Sequence, residues 1–552
     1  DVLYKANVVV VSADKVEISL RNKHAQIDDH VDGAYARINT HESIDKEVNG
    51  DEVRRWVVEQ DASDTTLKRT YGCVAMWMRA PSAKRQMLLG QLRPVFEDYQ
   101  DRSGSRNSIP HARRAHALHD SIRRADSIRD EQRDIINRAL SARDFFLVQG
   151  PPGTGKTSTI LRSIVTELLL RPEERLLVLA YTNRAADEIC TVLRRYVGEG
   201  VLLRHGSRDG ARGDDSVASL LAQHTPSDAA RILSECKCIV STVSSAINQS
   251  DIFSFGDFTT AIVDEASQVL EPMLTGLLAQ TGRFILIGDV CQLPAVVSQP
   301  ADGLVVQAPM LRDICFTSLG MSMFERLHRV CVKNGWHDAY ADLTHQGRMH
   351  KDVQAFPSNM FYGGRLEPLA PWQESSEPWI TSSDNYLARV LETRATFIPI
   401  DDTDQQLREA TLATRLAKQI LVDAHTLGIE ASIGIITPFR AQNNLVLQML
   451  HDEERRHISV DTVERFQGSE RDVIIYAVSA ASMADMQGIA SEITLADGIV
   501  VDRKLNVALT RAKQHIIVIG NPRFLRASKS YDNLIDHLTV VVPSSYFRCD
   551  IV

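Results

Sequence analysis

The stretch of sequence that decides the fold reads Gly150-Pro151-Pro152-Gly153-Thr154-Gly155-Lys156-Thr157. An apolar run at residues 145–148 precedes it, and an apolar segment with helical spacing follows it at residues 158–170. Strand, glycine-rich loop and helix in this order are typical of a phosphate-binding loop, in which backbone N–H groups at a helix N-terminus close around phosphate oxygens. Lys156 would supply a point charge to the terminal phosphates, and Thr157 a hydroxyl ligand for Mg²⁺. All eight residues are therefore predicted to bind ATP.

Two carboxylates follow another apolar run, Ala261-Ile262-Val263. Asp264 and Glu265 would lie at the carboxyl end of a buried strand, the edge of a parallel sheet at which ligands bind. Asp264 is predicted to bind Mg²⁺ through its water shell, and Glu265 to orient or deprotonate the attacking water. Taken alone, an apolar strand that ends in Asp-Glu is also typical of a helix N-cap, but the phosphate-binding loop upstream favours the catalytic interpretation.

Short apolar runs alternate with helical patterns over most of the chain, which is typical of parallel α/β sheets. A first series predicts strands at residues 145–148, 176–180, 238–242, 261–263 and 284–287. A second series predicts strands at residues 433–436, 473–478 and 516–519. The predicted fold class is therefore α/β, with parallel sheets in two lobes and no sequence-level repeat between them.

The segment before the phosphate-binding loop has a different character. Residues 7–20 contain two valine- and isoleucine-rich runs around a polar turn, which predicts a β-hairpin, and residues 1–60 are predicted to form a small β-barrel. Helical spacing over residues 65–92, interrupted at Pro81, predicts a helical stalk. Residues 101–129 are rich in Ser, His and Arg and predict a linker or an exposed helix. A solvated face is the favoured interpretation there, and a stripe that binds a phosphate backbone is the alternative.

Composition limits the class of protein. The 552 residues are 44% hydrophobic and 24% charged, as in an ordinary globular protein of several domains. No apolar run reaches the roughly 18 residues that span a bilayer, and no signal peptide opens the chain, which predicts a cytoplasmic protein without a membrane partner. The net charge of −9 argues against a generally basic surface but allows a local positive groove. Of the eight cysteines only Cys236 and Cys238 lie close together, so no zinc signature is present.

Three further stretches carry a resemblance to a known family. They are Asp264-Glu265-Ala266-Ser267, Gly288-Asp289-Val290-Cys291-Gln292-Leu293-Pro294 and Leu505-Asn506-Val507-Ala508-Leu509-Thr510-Arg511-Ala512-Lys513. They resemble signature motifs of the superfamily 1B helicases, and the most similar groups are the nonsense-mediated decay RNA helicase and the replication helicase-nuclease of Okazaki-fragment maturation. The resemblance implies two RecA-like lobes with ATP between them. The expected domains are an accessory barrel, stalk and linker at 1–116, lobe 1 at 117–298 and lobe 2 at 299–552.

The resemblance also assigns roles to residues outside the phosphate-binding loop. Gln132 would read the adenine edge, because a side-chain amide offers both a donor and an acceptor. Gln292 would sense the γ-phosphate, and Glu470 would contact the nucleotide from the second lobe. Arg348 and Arg511 resemble two arginine fingers, whose planar guanidinium suits charge spread over phosphate oxygens. For either arginine alone, a surface ion pair would be the simpler interpretation.

Two positions depart from the family pattern. Gly347 stands where the family usually has a tyrosine that stacks on adenine, so the resemblance does not extend to that stacking contact. Lys351 stands where the family commonly has a proline.

A second set of positions resembles those at which the family contacts the nucleic-acid backbone: Thr182, Asn183, Thr242, Pro438, Arg440 and Thr462. Hydroxyl and amide groups can hold phosphates without reading bases, as a translocating enzyme requires. Each could equally cap the end of a strand or helix. The contact interpretation applies to the set more than to any single member.

The predicted function is an ATP-dependent helicase or translocase that moves 5′ to 3′ along single-stranded nucleic acid. DNA is favoured because the chain begins at Asp1 in β-rich sequence, as though a nuclease domain preceded it; removal of a short leader is the alternative. An RNA or ribonucleoprotein remodelling enzyme is a second candidate, since the same motifs serve both nucleic acids. A third is an ATP-gated clamp that binds nucleic acid without unwinding it.

Overall fold

The computed structural model describes residues 65–97, 128–198, 200–206, 216–248, 250–297, 299, 301–400, 404–495 and 498–543, together with the backbone of four strands nearer the N-terminus. The chain divides into two compact units, residues 1–70 and residues 71–552. No helix among the described residues has the length and apolar content that crossing a membrane requires.

The described strands of the first unit form two antiparallel hairpins. Strand β1 (Ala6–Val11) pairs with β2 (Val16–Leu20), and β3 (Ile44–Lys46) pairs with β4 (Arg54–Trp56). The first pairing confirms the predicted hairpin, while a closed barrel is not seen in the described strands. The predicted linker and its arginines lie outside the described residues, apart from the last two positions of the segment 101–129.

The predicted stalk is a pair of helices, α1 (Thr65–Arg79) and α2 (Ser82–Leu88), that break at Pro81 as expected. Proline has no backbone N–H and cannot continue the first helix. At the end of α2 the carbonyls of Leu88 and Leu89 accept hydrogen bonds from the buried Arg326 guanidinium at 2.6 and 2.8 Å. Arg326 also pairs with Glu271 at 2.7 Å, so the guanidinium that holds the end of α2 is itself fixed by a buried ion pair to another helix of the first lobe.

The first large sheet has seven parallel strands in the order β11-β5-β10-β9-β6-β8-β7. The strands are β5 (Phe145–Gln149), β6 (Leu176–Ala180), β7 (Leu202–His205), β8 (Cys238–Thr242), β9 (Phe258–Val263), β10 (Thr281–Gly288) and β11 (Tyr340–Asp342). Its helices are α3 (Asp130–Ser141), α4 (Arg162–Leu169), α5 (Asn183–Leu193), α6 (Val217–Gln223), α7 (Pro226–Glu235), α8 (Val243–Asn248), α9 (Glu271–Leu278), α10 (Pro309–Asp313) and α11 (Met323–Asn334). Helices cover both faces, which is why the central strands are apolar throughout.

The polypeptide returns to the first sheet after residue 298. Strand β11 pairs in parallel with β5, and α11 packs against β10 and α9. The sequence boundary at residues 298 and 299 would assign both elements to the second lobe, so the sheet topology argues for a later crossing, after Asp342. The three-residue β11 is too short to show a periodic pattern. The limits 1–116, 117–298 and 299–552 otherwise stay predictions.

The second large sheet has six parallel strands in the order β16-β15-β17-β20-β14-β21. The remaining strands are β12 (His345–Gln346), β13 (Glu367–Pro368), β14 (Ala395–Pro399), β15 (Ile433–Thr437), β16 (Ile458–Thr462), β17 (Arg471–Ala477), β18 (Glu492–Thr494), β19 (Val500–Asp502), β20 (Ala512–Gly520) and β21 (Thr539–Val540). The helices are α12 (Lys351–Phe361), α13 (Asn385–Leu391), α14 (Gln405–Thr426), α15 (Arg440–Gln448), α16 (Val463–Phe466), α17 (Met483–Ile489), α18 (Arg503–Leu509), α19 (Pro522–Leu525) and α20 (Lys529–His537). Every strand that the two apolar series predicted is present, which confirms the two-lobed α/β class.

The two sheets meet through opposite ends of their strands. The phosphate-binding loop follows β5, Asp264 follows β9 and Asp289 follows β10, all at carboxyl ends. Glu470 and Arg511 instead precede β17 and β20, at amino ends. The loops at these two edges face each other, and the side chains described next meet there.

Glu409, in α14, is a fully buried carboxylate with no cationic partner among the described residues. Its oxygens accept hydrogen bonds from Gln405 Nε2 and from the backbone N–H of Ser479, both at 2.7 Å. Burial raises the pKa of Glu409 to about 7, and these hydrogen bonds offset only part of that effect.

Glu409→Gln should change the way stability depends on pH. The pKa of the folded state lies above the ordinary value of 4.5, so the folded protein holds the proton more tightly and the wild type loses stability as pH rises from 4.5 to about 7. Glutamine does not ionise, so the variant should lose roughly 2 to 3 kcal/mol less over that range. Chemical denaturation at both ends of the range measures the difference.

The control for this measurement is Glu453→Gln, which changes a glutamate whose side chain is 84% exposed. Its pH dependence should follow that of the wild type. Identical curves for wild type and Glu409→Gln would contradict the assignment of the raised pKa to Glu409.

Candidate nucleotide-binding site

The phosphate-binding loop has the backbone that its glycines permit. Gly153 and Gly155 have φ angles of +78° and +80°, a region that other residues rarely adopt. A Cβ on Gly150 would lie 2.3 Å from Lys156 Cγ, so only glycine leaves room for the lysine side chain. Lys156 is 8% exposed, and its Nζ donates to Gly150 O at 2.6 Å. The helical turn that follows, Lys156–Leu161, directs its first N–H groups into the loop.

Thr157 and Asp264 meet beside this loop. Thr157 Oγ1 donates to Asp264 Oδ2 at 2.7 Å, and the backbone N–H of Glu265 donates to Asp264 Oδ1 at 3.1 Å. Burial, and then the charge of Glu265, raise the pKa of Asp264 to about 6. A hydroxyl and a carboxylate at the entrance to a phosphate site are hard oxygen ligands, so the two residues fit Mg²⁺.

Glu265 lies in a strained conformation next to the lysine. Its φ of +51° is in the left-handed region, which costs a non-glycine residue free energy and often marks a functional site. One carboxylate oxygen accepts from Gln268 Nε2 at 3.1 Å, and the other lies 3.8 Å from Lys156 Nζ. In this conformation the carboxylate lies beside the phosphate-binding loop.

Asp289, fully buried after β10, is the centre of a hydrogen-bond network. Oδ1 accepts from Gln149 Nε2 at 2.6 Å and from the N–H of Cys291 at 3.0 Å. Oδ2 accepts from Gln292 Nε2 at 2.7 Å and from the Tyr362 hydroxyl at 2.9 Å. These four donors satisfy the carboxylate, and no cation pairs with it among the described residues.

The network fixes the orientation of Gln292. An ionised carboxylate only accepts hydrogen bonds, so the amide nitrogen of Gln292 must face Asp289. The amide oxygen then points to Arg511, whose Nη2 lies 3.5 Å away. Gln292 therefore links a buried carboxylate of the first lobe to a buried guanidinium of the second.

Arg511 is buried, and in the described part of the chain all of its hydrogen-bond partners are neutral. Its contacts are the neutral oxygens of Val507, Thr510, Ser469 and Gln292. Burial, and then repulsion by Arg348, lower the pKa of Arg511 to about 9, although the charges of Glu265 and Glu470 oppose the shift. A guanidinium held like this is unfavourable unless an anion comes to it, which is the situation expected of an arginine that meets a phosphate.

Arg348 lies on the segment that connects the two lobes. Its Nε donates to Glu470 Oε2 at 2.6 Å, and Lys513 Nζ contacts the other Glu470 oxygen at 3.0 Å. Burial alone would raise the pKa of Glu470, but the charges of Arg348 and Lys513 hold it below its ordinary value. Glu470 thus pairs with the predicted finger, and its predicted contact with the nucleotide stays a prediction.

The remaining nucleotide candidates also border the loop. Gln132 Nε2 lies 3.4 Å from Thr154 O, and the side chain is buried. The N–H of Gly347 donates to Gly153 O at 2.9 Å, so the segment that carries Arg348 is hydrogen-bonded to the loop itself. A Cβ on Gly347 would lie 3.1 Å from the end of the Leu369 side chain, which occupies the space beside this position.

The nucleic-acid candidates lie at the carboxyl ends of β6, β8, β15 and β16. Thr182 Oγ1 accepts from the N–H of Ala185 and Thr242 Oγ1 from that of Ser245, both at 3.1 Å, so these two hydroxyls cap the helices that follow. Asn183 Oδ1 accepts from Arg204 Nη2 at 2.9 Å. Pro438 is half-buried, Arg440 is exposed and Thr462 precedes α16. Capping is compatible with a phosphate contact, so the contacts stay predictions.

Sequence reasoning missed three members of the network: Gln149, Tyr362 and Asn506. Gln149 carries a signal, because a polar residue ends an otherwise apolar strand just before the loop. Asn506 lies inside a quoted motif without a role assigned to it. Tyr362 carries no local signal, since its partners lie far away in the chain.

A phosphate-binding loop on one parallel sheet, faced by an unpaired arginine from a second parallel sheet, defines a two-lobed ATPase of the RecA type. A family model described as an AAA domain matches residues 319–523, and another with the same description matches residues 127–211 and 205–300. Among solved structures, the arterivirus nonstructural protein 10 helicase matches with a TM-score of 0.36 and 16% identity, over 74% of this chain and 64% of its own.

Three curated relatives have similar sequences. The DNA replication ATP-dependent helicase/nuclease JHS1 of Arabidopsis thaliana is 28% identical over 72% of this chain and 29% of its own length. The DNA polymerase alpha-associated DNA helicase A of Saccharomyces cerevisiae is 26% identical over 72% and 66%. The Regulator of nonsense transcripts 1 homolog of Drosophila melanogaster is 28% identical over 73% and 35%. The chain spans less than two thirds of each.

With these matches and the motifs in place, the chain belongs to the superfamily 1 helicases, in the group that includes the replication helicase-nucleases and the regulators of nonsense transcripts. This family consists of enzymes that hydrolyse ATP.

Gly153→Ala should disturb the contact between the loop and the connecting segment. An added Cβ would lie 2.6 Å from Arg348 Cβ, and the φ of +78° is itself unfavourable for alanine. A shift on the order of 1 Å in such a site lowers turnover by about a hundredfold, the result expected here for ATP hydrolysis.

Gly428→Ala provides the matched control, because its φ is +69° and no atom lies within 4 Å of the added Cβ. It should carry only the backbone cost, roughly 1 kcal/mol of stability, at unchanged turnover. Equal effects of the two variants on turnover would contradict the steric role of the Arg348 contact.

Proposed function

We propose that this chain couples ATP hydrolysis to movement along single-stranded DNA, in the 5′ to 3′ direction, and that it unwinds duplexes by doing so. One observation carries the proposal: Arg511 from the second lobe is buried, has no hydrogen-bonded carboxylate among the described residues, and contacts Gln292 of the first lobe. An arginine in this position makes the affinity of the lobes for each other depend on the nucleotide between them.

The phosphate-binding loop holds the substrate in this proposal. Lys156 exchanges its contact with Gly150 O for the terminal phosphates, and the N–H groups of residues 153–157 surround them. Thr157 and Asp264 would hold Mg²⁺, which when bound neutralises charge on the phosphate oxygens. Asp264 must be ionised to do so, and Thr157 Oγ1 already orients its carboxylate.

Glu265 is the group that orients the attacking water and accepts its proton. The strained backbone holds its carboxylate near Lys156, and the Gln268 amide fixes one oxygen. The other oxygen is left to face the loop. A general base of this kind contributes roughly 10² to 10⁴ in rate.

The two arginines act in the transition state. Arg511 has only neutral hydrogen-bond partners among the described residues, so it can accept an anion without giving up an ion pair. Arg348 must exchange its hydrogen bond to Glu470 for one to a phosphate oxygen. Its guanidinium is therefore paired with an anion before and after the exchange. Loss of the terminal phosphate removes the shared anion, and the two lobes then separate.

The track for the strand is proposed along the carboxyl ends of β6, β8, β15 and β16, where Thr182, Asn183, Thr242, Pro438, Arg440 and Thr462 lie. Because these positions belong to both sheets, a change in the distance between the lobes changes the spacing of the contacts. A cytoplasmic location stays a prediction.

The preference for DNA is supported by the printed names of two relatives, a DNA replication helicase/nuclease and a DNA polymerase alpha-associated DNA helicase. The third relative is named for regulating nonsense transcripts, so an RNA substrate is the competing candidate.

The test measures unwinding of DNA and RNA duplexes that carry either a 5′ or a 3′ single-stranded tail, with ATP turnover recorded in parallel. We expect ATP-dependent unwinding of the 5′-tailed DNA duplex. Glu265→Gln serves as the control that should bind ATP and not unwind. Preference for tailed RNA would select the remodelling candidate, stimulated turnover without strand separation would select the clamp, and unwinding from 3′ tails alone would refute the direction.

Arg511→Ala should lower turnover by a factor on the order of a thousand and change ATP affinity far less, because an arginine finger acts on transition-state charge. Steady-state kinetics and nucleotide titration separate the two quantities. Arg394→Ala is the matched control: it removes another buried guanidinium with neutral oxygen partners, Glu377 O at 2.7 Å and Gln514 Oε1 at 3.0 Å, that takes no part in the site's hydrogen bonds. A loss confined to ATP affinity would contradict the finger role.

A further inference from the structure

Tyr362 is a buried tyrosine directly after α12, outside every motif used above, and it is 4% exposed. Its hydroxyl donates to Asp289 Oδ2 at 2.9 Å and accepts from Asn506 Nδ2 at 2.8 Å. The directions are forced, since a carboxylate only accepts and an amide nitrogen only donates. We propose that Tyr362 is a positioning residue that makes hydrolysis depend on contact between the lobes, by joining the Asp289 carboxylate to the helix that leads to Arg511.

The helix in question, α18, is attached to the loop after Asp289 at successive residues. Arg503 Nε donates to Val290 O at 2.9 Å, and Asn506 Nδ2 donates to Cys291 O at 2.7 Å. The next loop residue, Gln292, meets Arg511. The Tyr362 hydroxyl connects α18 to the Asp289 carboxylate itself, because it is hydrogen-bonded to both Asn506 and Asp289.

The hydroxyl matters because Asp289 is fully buried and has only neutral donors. Without it, Oδ2 would retain Gln292 as its donor, and Asn506 would retain Cys291 O as its acceptor. An incompletely solvated buried carboxylate is unfavourable, so Asp289 would draw its remaining donors into new positions. One of these donors, Gln292, also contacts Arg511. A change at Tyr362 is therefore transmitted to the arginine without any contact between Tyr362 and the nucleotide.

The hydroxyl remains a donor under working conditions. Burial, and then the charge of Asp289, hold the pKa of Tyr362 well above its ordinary value. The relay Gln292–Asp289–Tyr362–Asn506 is thus closed at neutral pH. A shift of Gln292 on loss of the terminal phosphate would change the hydrogen bonds of Asp289. Because Tyr362 joins Asp289 to Asn506, the position of α18 would change as well. The inference rests on the proposed ATPase function and adds a residue to it.

The experiment compares Tyr362→Phe with Tyr476→Phe. Phenylalanine keeps the ring and removes only the hydroxyl. Tyr476 is the matched control because it is also fully buried and its hydroxyl is bonded to another buried hydroxyl, that of Tyr531, at 2.8 Å in the core of the second lobe. Turnover, the KM for ATP and the thermal unfolding temperature are measured for both variants, with and without single-stranded oligo(dT) and oligo(rU).

Tyr362→Phe should lower kcat by about tenfold and leave the KM for ATP within about twofold, as expected when a hydrogen bond acts on the transition state only. Stimulation by the oligonucleotide should fall with kcat. Tyr476→Phe should lower the unfolding temperature by a similar amount and leave kcat unchanged. Asn506→Ala should reduce kcat as well, and the double variant with Tyr362→Phe should lose less than the product of the two single losses.

Wild-type kcat in a folded Tyr362→Phe protein would overturn the relay, as would an equal loss in Tyr476→Phe. Fully multiplicative losses in the double variant would overturn it too. These outcomes leave the proposed function intact, because the wild type still hydrolyses ATP. A wild-type protein that hydrolyses no ATP with either oligonucleotide would instead overturn the proposed function, and the relay with it.

Discussion

Buried charge without a counter-charge is the constraint on which the interface between the two sheets depends. Asp289 and Arg511 have opposite charges but do not touch, and each is surrounded by neutral partners. Gln292 bridges the two residues, because its amide offers a donor to the carboxylate and an acceptor to the guanidinium. Losing a hydrogen bond is costly in a region of low dielectric, so this network limits the conformations that the loops at the interface can adopt.

The arginines extend this constraint to the nucleotide. Arg348 and Arg511 repel each other. Arg348 is hydrogen-bonded to Glu470, whereas Glu265 and Glu470 attract Arg511 without a hydrogen bond to it among the described residues. An anion with several oxygens placed between them would relieve the repulsion and the burial of Arg511 together. The free energy released in this way favours a closed arrangement of the lobes. This stabilisation of the closed arrangement is lost when the anion leaves. The arrangement of the lobes therefore depends on the nucleotide through the electrostatics of two side chains.

Sequence patterns predicted the parts of the molecule that are local in the chain. The strand before Gly150 and the carboxylates after β9 lie in continuous stretches of sequence. The type and spacing of the residues there are sufficient to predict both the structure and the role. Strand β11 carries no sequence signal because three residues have no period, and its pairing with β5 lies beyond the predicted boundary at residues 298 and 299. The role of Tyr362 depends on partners at positions 289 and 506, which no pattern connects. Thr182 and Thr242 cap helices with the same hydroxyl that a phosphate contact would use, so residue type alone does not distinguish the two roles.

The path of the chain between the lobes gives the two arginines different attachments. The chain leaves the first sheet after Asp342 and enters α12 at Lys351, so Arg348 lies on the crossing, where the N–H of Gly347 is bonded to Gly153 O. Arg511 instead directly precedes β20, in the middle of the second sheet. If the sheets move apart, Arg511 travels the full distance and Arg348 only part of it. The covalent connection between the lobes therefore determines the order in which the two positive charges reach and leave a nucleotide.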